Sequence, residues 1–289
     1  MDFIVSAILQ GLCFSSMAIG VYLSMRIFNI PDITTDGSYT LGAAVTATLL
    51  TLNWNPFLLF PVVVLVGSLA GAMTGLIHTK LKVHPILAGI LVMISLYSIN
   101  LKIMGRSNIP LMNNEALLDI SVFDSILMNE AFWIILVIVL IIVKFSFLLK
   151  TDFGLTMRAT GNNEKMIQAI GVRTDNIKIA GLALANALTA TSGYLMTQYQ
   201  RFADINMGVG IVIVGLGSVM IAEVFIVIFK VKRISIKLSM VVFGTVIFQM
   251  ALATTLMMGI DPVYLKLFTA LFVLLIVSLP RLGLIPIKS

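Results

Sequence analysis

Long apolar runs constrain this chain of 289 residues more than any other feature of its sequence. One run extends from Ile4 to Tyr22, and another, from Phe132 to Val143, contains no charged residue. A bilayer core about 30 Å thick requires roughly 20 apolar residues in helical form. The chain is 59% hydrophobic and 11% charged, whereas soluble domains are about 25% charged. The sequence therefore predicts an all-α fold, a polytopic transmembrane helical bundle of about 8–10 spans, and excludes a soluble domain.

The apolar pattern also gives the order of the helices. We predict them at 3–25, 37–52, 56–78, 85–104, 131–149, 176–199, 208–229, 235–258 and 263–280. No internal repeat or soluble appendage is evident between them. We therefore expect residues 1–289 to form a single transmembrane domain.

The basic residues predict which loops face the cytoplasm. Of the 19 lysines and arginines, 15 lie in one set of alternate connections, including 144–178 and 230–237. Cytoplasmic loops carry the basic excess in membrane proteins. This set is therefore expected inside, the loop 105–130 outside, and the C-terminus inside. The net charge of +6 is thus a topology signal and does not indicate a nucleic-acid partner.

The cytoplasmic segment 151–175 is predicted to form a short amphipathic helix-turn-helix. Asn162 is expected to cap the second helix, Glu164 to lie at its positive end, and Gly171 to end it. Met166 and Ile170 would share one face of that helix. One interpretation is an interfacial helix that only ties two spans together. The other is a coupling helix that docks into a groove on a separate ATPase subunit.

Three sequence motifs carry a resemblance to a known family. They are Gly154-Leu-Thr-Met-Arg-Ala-Thr-Gly-Asn-Asn-Glu164 followed by Ala169-Ile-Gly-Val172, then Asn29-Ile-Pro-Asp32 through Leu41-Gly-Ala43, and the ending Leu279-Pro-Arg-Leu-Gly-Leu284. By these motifs and their order along the chain, the sequence resembles the bacterial ABC importer permeases of the branched-chain amino acid and ribose type, over nearly the whole chain. The run after Asn29 departs from the Ala-His-Gly of most amino acid permeases and is similar to a subgroup of tryptophan and tyrosine permeases.

The resemblance implies a permease subunit that forms the translocation path of an ATP-driven importer in the bacterial cell membrane. An aromatic or branched-chain amino acid is the favoured substrate, and a sugar or nucleoside is the alternative. The implied partners are cytoplasmic ATPase subunits that bind ATP, an extracytoplasmic binding protein or lipoprotein, and a second permease subunit, with a homodimer expected. The residues expected to contact the ATPase are Leu155, Arg158, Ala159, Gly161, Asn162, Glu164, Lys165, Met166, Ile170 and Gly171.

Other classes of function leave fewer traces in the sequence. No Gly-x-x-x-x-Gly-Lys-Ser/Thr loop occurs, so we expect no cofactor on this chain and ATP hydrolysis on a partner. An ion-coupled transporter would show paired broken helices in both halves, and only the first half has one candidate. A membrane enzyme would show clustered histidines or acids at one face. No catalytic or metal-ligating set is legible.

The polar segment 26–41 interrupts the apolar sequence between the first two helices. It could be a cytoplasmic loop, or a discontinuous helix inside the bundle, which is tolerated only where protein or water satisfies the exposed backbone. Asp36 is a candidate cap for the second helix, whose positive end at 37–40 would suit a carboxylate. The family resemblance favours the broken helix. The candidate residues of the path are Asn29, Asp32, Thr34, Asp36, Ser38, Tyr39 and Glu223.

Two further features concern contacts between helices. Glu223, an acid within a predicted span, is expected to pair with Lys230 or Lys232. Gly67, Gly71 and Gly75 form a smooth stripe that permits close helix contact. The sequence does not decide whether this stripe packs within the subunit or at a dimer seam.

Overall fold

Helices make up almost all of the structure. A computed structural model describes residues 2–281, apart from Asn113 and Glu115. Its α-helices are α1 Asp2–Tyr22, α2 Thr34–Thr51, α3 Pro56–Lys80, α4 Pro85–Met104, α5 Ile126–Leu148, α6 Asp152–Asn162, α7 Glu164–Ala169, α8 Thr174–Gln200, α9 Ile211–Ile228, α10 Ile234–Met257 and α11 Leu265–Arg281. The predicted all-α bundle is confirmed, and residues 282–284 of the third motif lie outside the described residues.

The spans follow the predicted order. Within the described residues, seven helices, α1, α3, α4, α5, α8, α9 and α10, are long and apolar enough to cross a membrane. Two further helices complete the predicted set. Helix α2 has 18 residues but a more polar sequence, and α11 is a shorter apolar helix. With these two, each helix that the sequence predicts as a span is present. On the expectation that the basic connections face the cytoplasm, α1 runs from the outer side to the inner side.

The centre of the bundle is α8. Its neighbour α2 runs parallel to it, with Gly42 against Ala190. The glycine stripe of α3 packs against α8 in the opposite direction, with Gly71 beside Leu182. The stripe therefore serves packing within the chain, because small residues let two backbones approach closely.

Three predicted helix starts differ from the structure by three residues or more, and one of them is that of α9, which begins at Ile211 and not at 208. The second helix begins at Thr34 and not at 37, because the Asp32 carboxylate accepts a hydrogen bond from the Thr34 amide at 2.9 Å. The fifth begins at Ile126 and not at 131. There the Asn129 side chain accepts hydrogen bonds from the amides of Val122 and Phe123 at 2.9 and 2.7 Å, which fixes the preceding loop against the first turn.

A small cap covers the outer ends of α2 and α8. Strand β1, Asn108–Pro110, pairs antiparallel with strand β2, Phe202–Asp204. Beside them Arg201 Nη1 donates to Asp119 Oδ2 at 2.6 Å. The hydrogen bonds from Arg201 hold the pKa of the Asp119 carboxyl below its usual range, and the same bonds raise the pKa of Arg201.

Candidate functional site

The break between α1 and α2 is buried in the bundle. After Tyr22 the chain makes a π-helical turn, Leu23–Ile27, closed by a hydrogen bond from the Phe28 amide to the Leu23 carbonyl at 3.1 Å. It then reverses direction, and α2 starts six residues later. Asp32 is only 1% exposed. The segment is therefore a buried connection between two antiparallel helices. It is not a solvent-exposed loop, and the predicted broken helix is wrong because α1 and α2 run in opposite directions beside α8.

Asp32 lies at the centre of a hydrogen-bonded cluster that joins the break to α8. The Asn186 side-chain amide donates to Asp32 Oδ2 at 2.7 Å, and its oxygen accepts from the Ser38 hydroxyl at 2.7 Å. The hydroxyls of Thr34 and Thr74 meet at 2.7 Å, which adds α3 to the cluster. Ser38, Thr34 and Asn186 have no exposed surface. The cluster thus fixes the start of α2 against two other helices.

Asp36 does not cap its own helix. Its carboxylate accepts hydrogen bonds from the backbone amides of Gly210 and Val212 at 2.9 and 2.8 Å, at the first turn of α9. A carboxylate is stabilised there by the unpaired amides and by the positive end of the helix dipole. Asp36 therefore links α2 to α9, and the predicted carboxylate site at 37–40 is wrong because the helix begins further back.

The other predicted path residues lie apart from this cluster. Asn29 is exposed, in a left-handed backbone conformation with φ of 55°. Tyr39 is buried one turn into α2 and stacks on Phe14, with ring centroids 5.9 Å apart. Glu223 pairs with Arg26 in the π-helical turn that follows α1. The predicted pairing with Lys230 or Lys232 is wrong, because the π-helical turn brings Arg26 to the side of α9.

The predicted helix-turn-helix is present as α6 and α7. Its boundary differs by one residue, since Asn162 still belongs to α6 and Asn163 is the cap, with its side chain accepting from the Met166 amide at 3.1 Å. Glu164 lies in the first turn of α7 and pairs with Lys178 at 2.6 Å. Gly171 ends the segment with φ of 87°, as expected.

The residues expected to contact an ATPase divide into two sets. The exposed set is Leu155, Asn162, Lys165, Met166, Ile170 and Gly171, and the half-buried set is Arg158, Ala159, Gly161 and Glu164. Leu155, Met166 and Ile170 are 50%, 60% and 68% exposed. The segment therefore presents apolar side chains away from the bundle, while its other face is held against the helices.

Helix α6 lies directly on the break between α1 and α2. A Cβ atom at Gly161 would overlap the carbonyl oxygen of Ile27 and would lie 2.9 Å from the Cα of Phe28. The Phe28 ring in turn occupies the space that a side chain at Gly181 would need. The backbone of α6 at Gly161 is therefore in direct contact with the backbone of the break, with no side chain between them. A displacement of α6 would therefore be transmitted to the Asp32 cluster.

A cavity of about 600 Å³ opens on the outer side of the bundle. The residues lining it come from α1, α2, α8, β2, α10, α11 and the connection after β2. Those with polar or aromatic side chains include Phe3, Gln10, Phe14, Tyr39, Gln200, Phe202, Asp204, Asn206, Gln249 and Lys266. This volume lies in the range of small-molecule sites, about 300–1,000 Å³. Of the predicted path residues, only Tyr39 lines it.

Sequence reasoning missed most of this cavity. A polar residue inside an apolar span, such as Gln249, is the signal that the sequence offers. Gln10 lies as far inside α1 as Gln249 lies inside α10, whereas Gln200 ends α8, and Asp204 and Lys266 lie in or beside short outer connections. Only the packing of distant helices brings these side chains to one space.

Comparison with known proteins assigns the chain to a family. Residues 3–278 match the family described as branched-chain amino acid transport system, permease component. The chain belongs to this family. The permease is 37% identical over 284 residues to the tyrosine transport system permease protein of Clostridioides difficile strain R20291, covering 98% of this chain and 93% of that protein. It is 34% identical over 268 residues to an uncharacterized protein of Rickettsia prowazekii strain Madrid E, covering 92% and 94%.

A solved structure has the same fold. It is a metal-chelate type ABC transporter in an inward-facing conformation, with a TM-score of 0.53 and 16% identity, covering 96% of this chain and 85% of that chain. The protein is the permease component of an ABC transporter, and such a component is not itself the catalytic part. It is a multi-pass membrane protein, and in a bacterium it lies in the plasma membrane.

Proposed function

We propose that the permease forms the path of an importer for an aromatic or branched-chain amino acid, driven by separate cytoplasmic ATPase subunits. An extracytoplasmic binding protein delivers the substrate, and two copies of the permease form the membrane unit. The names of the family and of the Clostridioides difficile relative support the class of substrate. ATP binds only to the partner subunits in this proposal, and residues 1–289 act as one transmembrane domain.

The observation that carries the proposal is the exposed apolar surface of α6 and α7. Leu155, Met166 and Ile170 belong to a segment whose helices are too short to cross a membrane, on the side expected to face the cytoplasm, yet each is at least half exposed. An amphipathic helix binds a partner by placing such side chains in a groove. The opposite face of α6 touches the backbone at Ile27. A motor that moves the segment would therefore act on the break and, through Asp32, on α8.

Substitution of the exposed apolar surface tests the docking. We expect Ile170→Glu to lower the amount of ATPase that co-purifies with the permease at least tenfold, because one buried apolar side chain contributes roughly 1.5–3 kcal/mol to an interface and a charge would have to be desolvated. Asn176→Glu is the matched control, since Asn176 is also exposed on the cytoplasmic side and the same charge is added.

The same pair of variants tests transport. Uptake of radiolabelled tyrosine, phenylalanine and leucine is measured in proteoliposomes that contain the complete transporter. We expect Ile170→Glu to abolish ATP-dependent uptake and Asn176→Glu to retain it. Equal ATPase recovery for both variants, or solute movement by the permease without any nucleotide-hydrolysing subunit, would contradict the proposal.

A further inference from the structure

A groove of about 460 Å³ lies between α5, the outer half of α3 and the middle of α8. We call it the α5 groove. Helix α5 packs against α1 and α10, and the groove separates it from α8. The floor of the groove is formed by Leu188, Thr191 and Tyr194 of α8, which are at most 3% exposed. The groove therefore extends from the exposed face of α5 to the central helix of the bundle.

The neutral polar side chains that line the groove already have partners in the protein. The Tyr194 hydroxyl donates to a backbone carbonyl at the start of α3 at 3.1 Å, and the Thr191 hydroxyl donates within α8 at 2.9 Å. The Trp133 indole donates to a carbonyl of the outer loop at 3.1 Å. The rest of the lining is apolar, apart from Lys144. A polar solute would find no free neutral donor and would lose its hydrogen bonds with water, so the lining selects an apolar occupant.

The dimensions of the groove fit one hydrocarbon chain. From Trp133 to Lys144 it follows α5 for about 16 Å, at a rise of about 1.5 Å per residue. A volume of about 460 Å³ over that length corresponds to a width of about 6 Å. Carbon atoms in contact lie about 4 Å apart, so a methylene chain can enter. A helix with its side chains is about 10 Å across, so a helix of a second permease copy cannot.

The two ends of the groove differ. Phe57 and Trp133 close the outer end, with their rings edge to face and centroids 5.5 Å apart. Lys144 lies at the other end, one turn before α5 ends at Leu148, on the side where the basic excess predicts the cytoplasm. Lys144 is exposed and forms no ion pair with any residue that the structure describes. A lysine near a helix end extends its charge to the membrane surface, so an anion is the complementary group there.

We propose that the α5 groove binds one acyl chain of an anionic phospholipid from the cytoplasmic leaflet. The chain lies between Leu140 of α5 and Leu188 of α8, and the headgroup phosphate pairs with Lys144. One leaflet is half of a bilayer core about 30 Å thick, which matches the length of the groove. Lysines at the cytoplasmic surface attract anionic lipids. The site does not depend on which solute the permease carries.

Native mass spectrometry of the full-length permease tests the headgroup contact. The protein is purified in a mild detergent and titrated with phosphatidylglycerol and with phosphatidylcholine of the same acyl chains. We expect the first phosphatidylglycerol to bind about fivefold more tightly than phosphatidylcholine, the contribution of one lysine near the surface. Lys144→Gln should remove this preference. Lys150→Gln is the matched control, because Lys150 is exposed at the same end of α5 but does not line the groove.

A larger side chain in the groove tests the acyl-chain contact. Leu140→Trp adds bulk to a residue that lines the groove, and Val139→Trp adds it to the next residue, which does not. The two positions are 51% and 48% exposed, so neither change strains the centre of the bundle. We expect Leu140→Trp to weaken the binding of both lipids about tenfold, the effect of about two methylene groups excluded from the groove. Val139→Trp should change it less than twofold.

Three results would overturn the assignment. One is equal affinity of the unmodified permease for the two lipids. Another is the same loss of preference in Lys150→Gln as in Lys144→Gln. The third is unchanged lipid binding by Leu140→Trp, and if that variant also lost a permease dimer, a second copy and not a lipid would cover this face.

Discussion

The central helices α2 and α8 are more buried than the outer helices α4 and α5, although hydropathy alone would predict the opposite. The central pair carries the more polar sequences, yet Ser38, Asn186 and Ser192 are completely covered. The outer pair is almost wholly apolar, yet side chains such as Ile94 and Leu140 are 59% and 51% exposed. Burial and hydropathy therefore run in opposite directions across this bundle.

The difference follows from the solvent. Lipid tails are as apolar as leucine, so an apolar residue gains little by leaving them for the protein interior. Polar groups gain much more, because lipid cannot pair with them. Hydrogen bonds and close backbone contact consequently stabilise the centre of the bundle. The outer helices are stabilised mainly by the contact of their apolar side chains with lipid. Substitutions should cost most at the centre and least at the exposed ends.

A side chain at the glycine stripe should produce the largest effect. A Cβ at Gly71 would overlap the Leu182 carbonyl and lie 2.8 Å from the Cβ of Asn186. Overpacking typically costs about 1–3 kcal/mol where side chains can move, and here a helix backbone must move. We expect Gly71→Val to cost more than about 3 kcal/mol and to abolish the monodisperse peak in size-exclusion chromatography. Met73→Val, in the same helix but 53% exposed, should elute as the unmodified protein does.

Removal of the Asp32 carboxylate should cost less but still destabilise the centre. Asp32→Ala leaves the Thr34 amide without its acceptor, and the side-chain nitrogen of Asn186 keeps only its bond to the Leu182 carbonyl at 3.0 Å. An unsatisfied buried group costs roughly 1–3 kcal/mol. The free energy of unfolding is measured in mixed micelles, with Ser95→Ala as control because the exposed Ser95 hydroxyl bonds only within α4.

A double-mutant cycle tests whether this loss of stability comes from the contact between Asp32 and Asn186. Asp32→Ala combined with Asn186→Ala should cost clearly less than the sum of the single changes, by about 0.5–3 kcal/mol, because each change removes the same interaction. Additive costs would show that the two residues stabilise the bundle independently. They would also remove the link between the break and α8 on which transmission from α6 depends.

The sequence predicted what depends on local pattern. The nine long helices, their order and the helix-turn-helix at 151–175 follow from hydropathy and from capping residues close together in the chain. Gly171 is a clear case, since a glycine at the end of an amphipathic helix indicates a left-handed stop. These features need no knowledge of which helices touch.

The sequence failed where a residue acts on a distant one. Asp36 has the signature of a local cap, yet it binds α9, because the Asp32 carboxylate already holds the start of α2. Glu223 has lysines two turns away, yet it pairs with Arg26. A π-helical turn brings Arg26 to Glu223, and no sequence pattern predicts that turn. The outer cavity collects residues from six elements. Such pairings depend on the packing of whole helices.

The Arg26–Glu223 pair lies between the centre and the exposed ends, and we expect an intermediate effect. The Glu223 side chain is 13% exposed and that of Arg26 is 44% exposed. Exposed ion pairs contribute about 0.2–1 kcal/mol, and the cover on Glu223 favours the upper end of that range. Arg26→Glu should therefore lower the thermal midpoint of unfolding by a few degrees, since two carboxylates then face each other.

Exchange of the two charges tests whether stability depends on the attraction between them or on which helix carries each side chain. The double variant Arg26→Glu with Glu223→Arg should recover most of the lost midpoint, because attraction does not depend on which helix carries which sign. A double variant no more stable than Arg26→Glu would mean that the site recognises the particular side chains. In that case Arg26 and Glu223 are better explained by a role in the path.

The outer pair of Asp119 and Arg201 should give the smallest effect, and it should depend on pH. Hydrogen bonds from Arg201 lower the pKa of folded Asp119 below its unfolded value. The stabilisation is therefore complete above the unfolded pKa and is lost as the pH falls through the lowered pKa, below about pH 4. Because the Asp119 side chain is 38% exposed, solvent screening keeps the contribution small.

Thermal unfolding between pH 7 and acid should show a fall in midpoint that Asp119→Asn diminishes. An unchanged pH profile in that variant would assign the acid sensitivity to other carboxyl groups, and the cap would then be held by its strand pair and by the bond from the Leu117 amide to Gln198 at 2.8 Å.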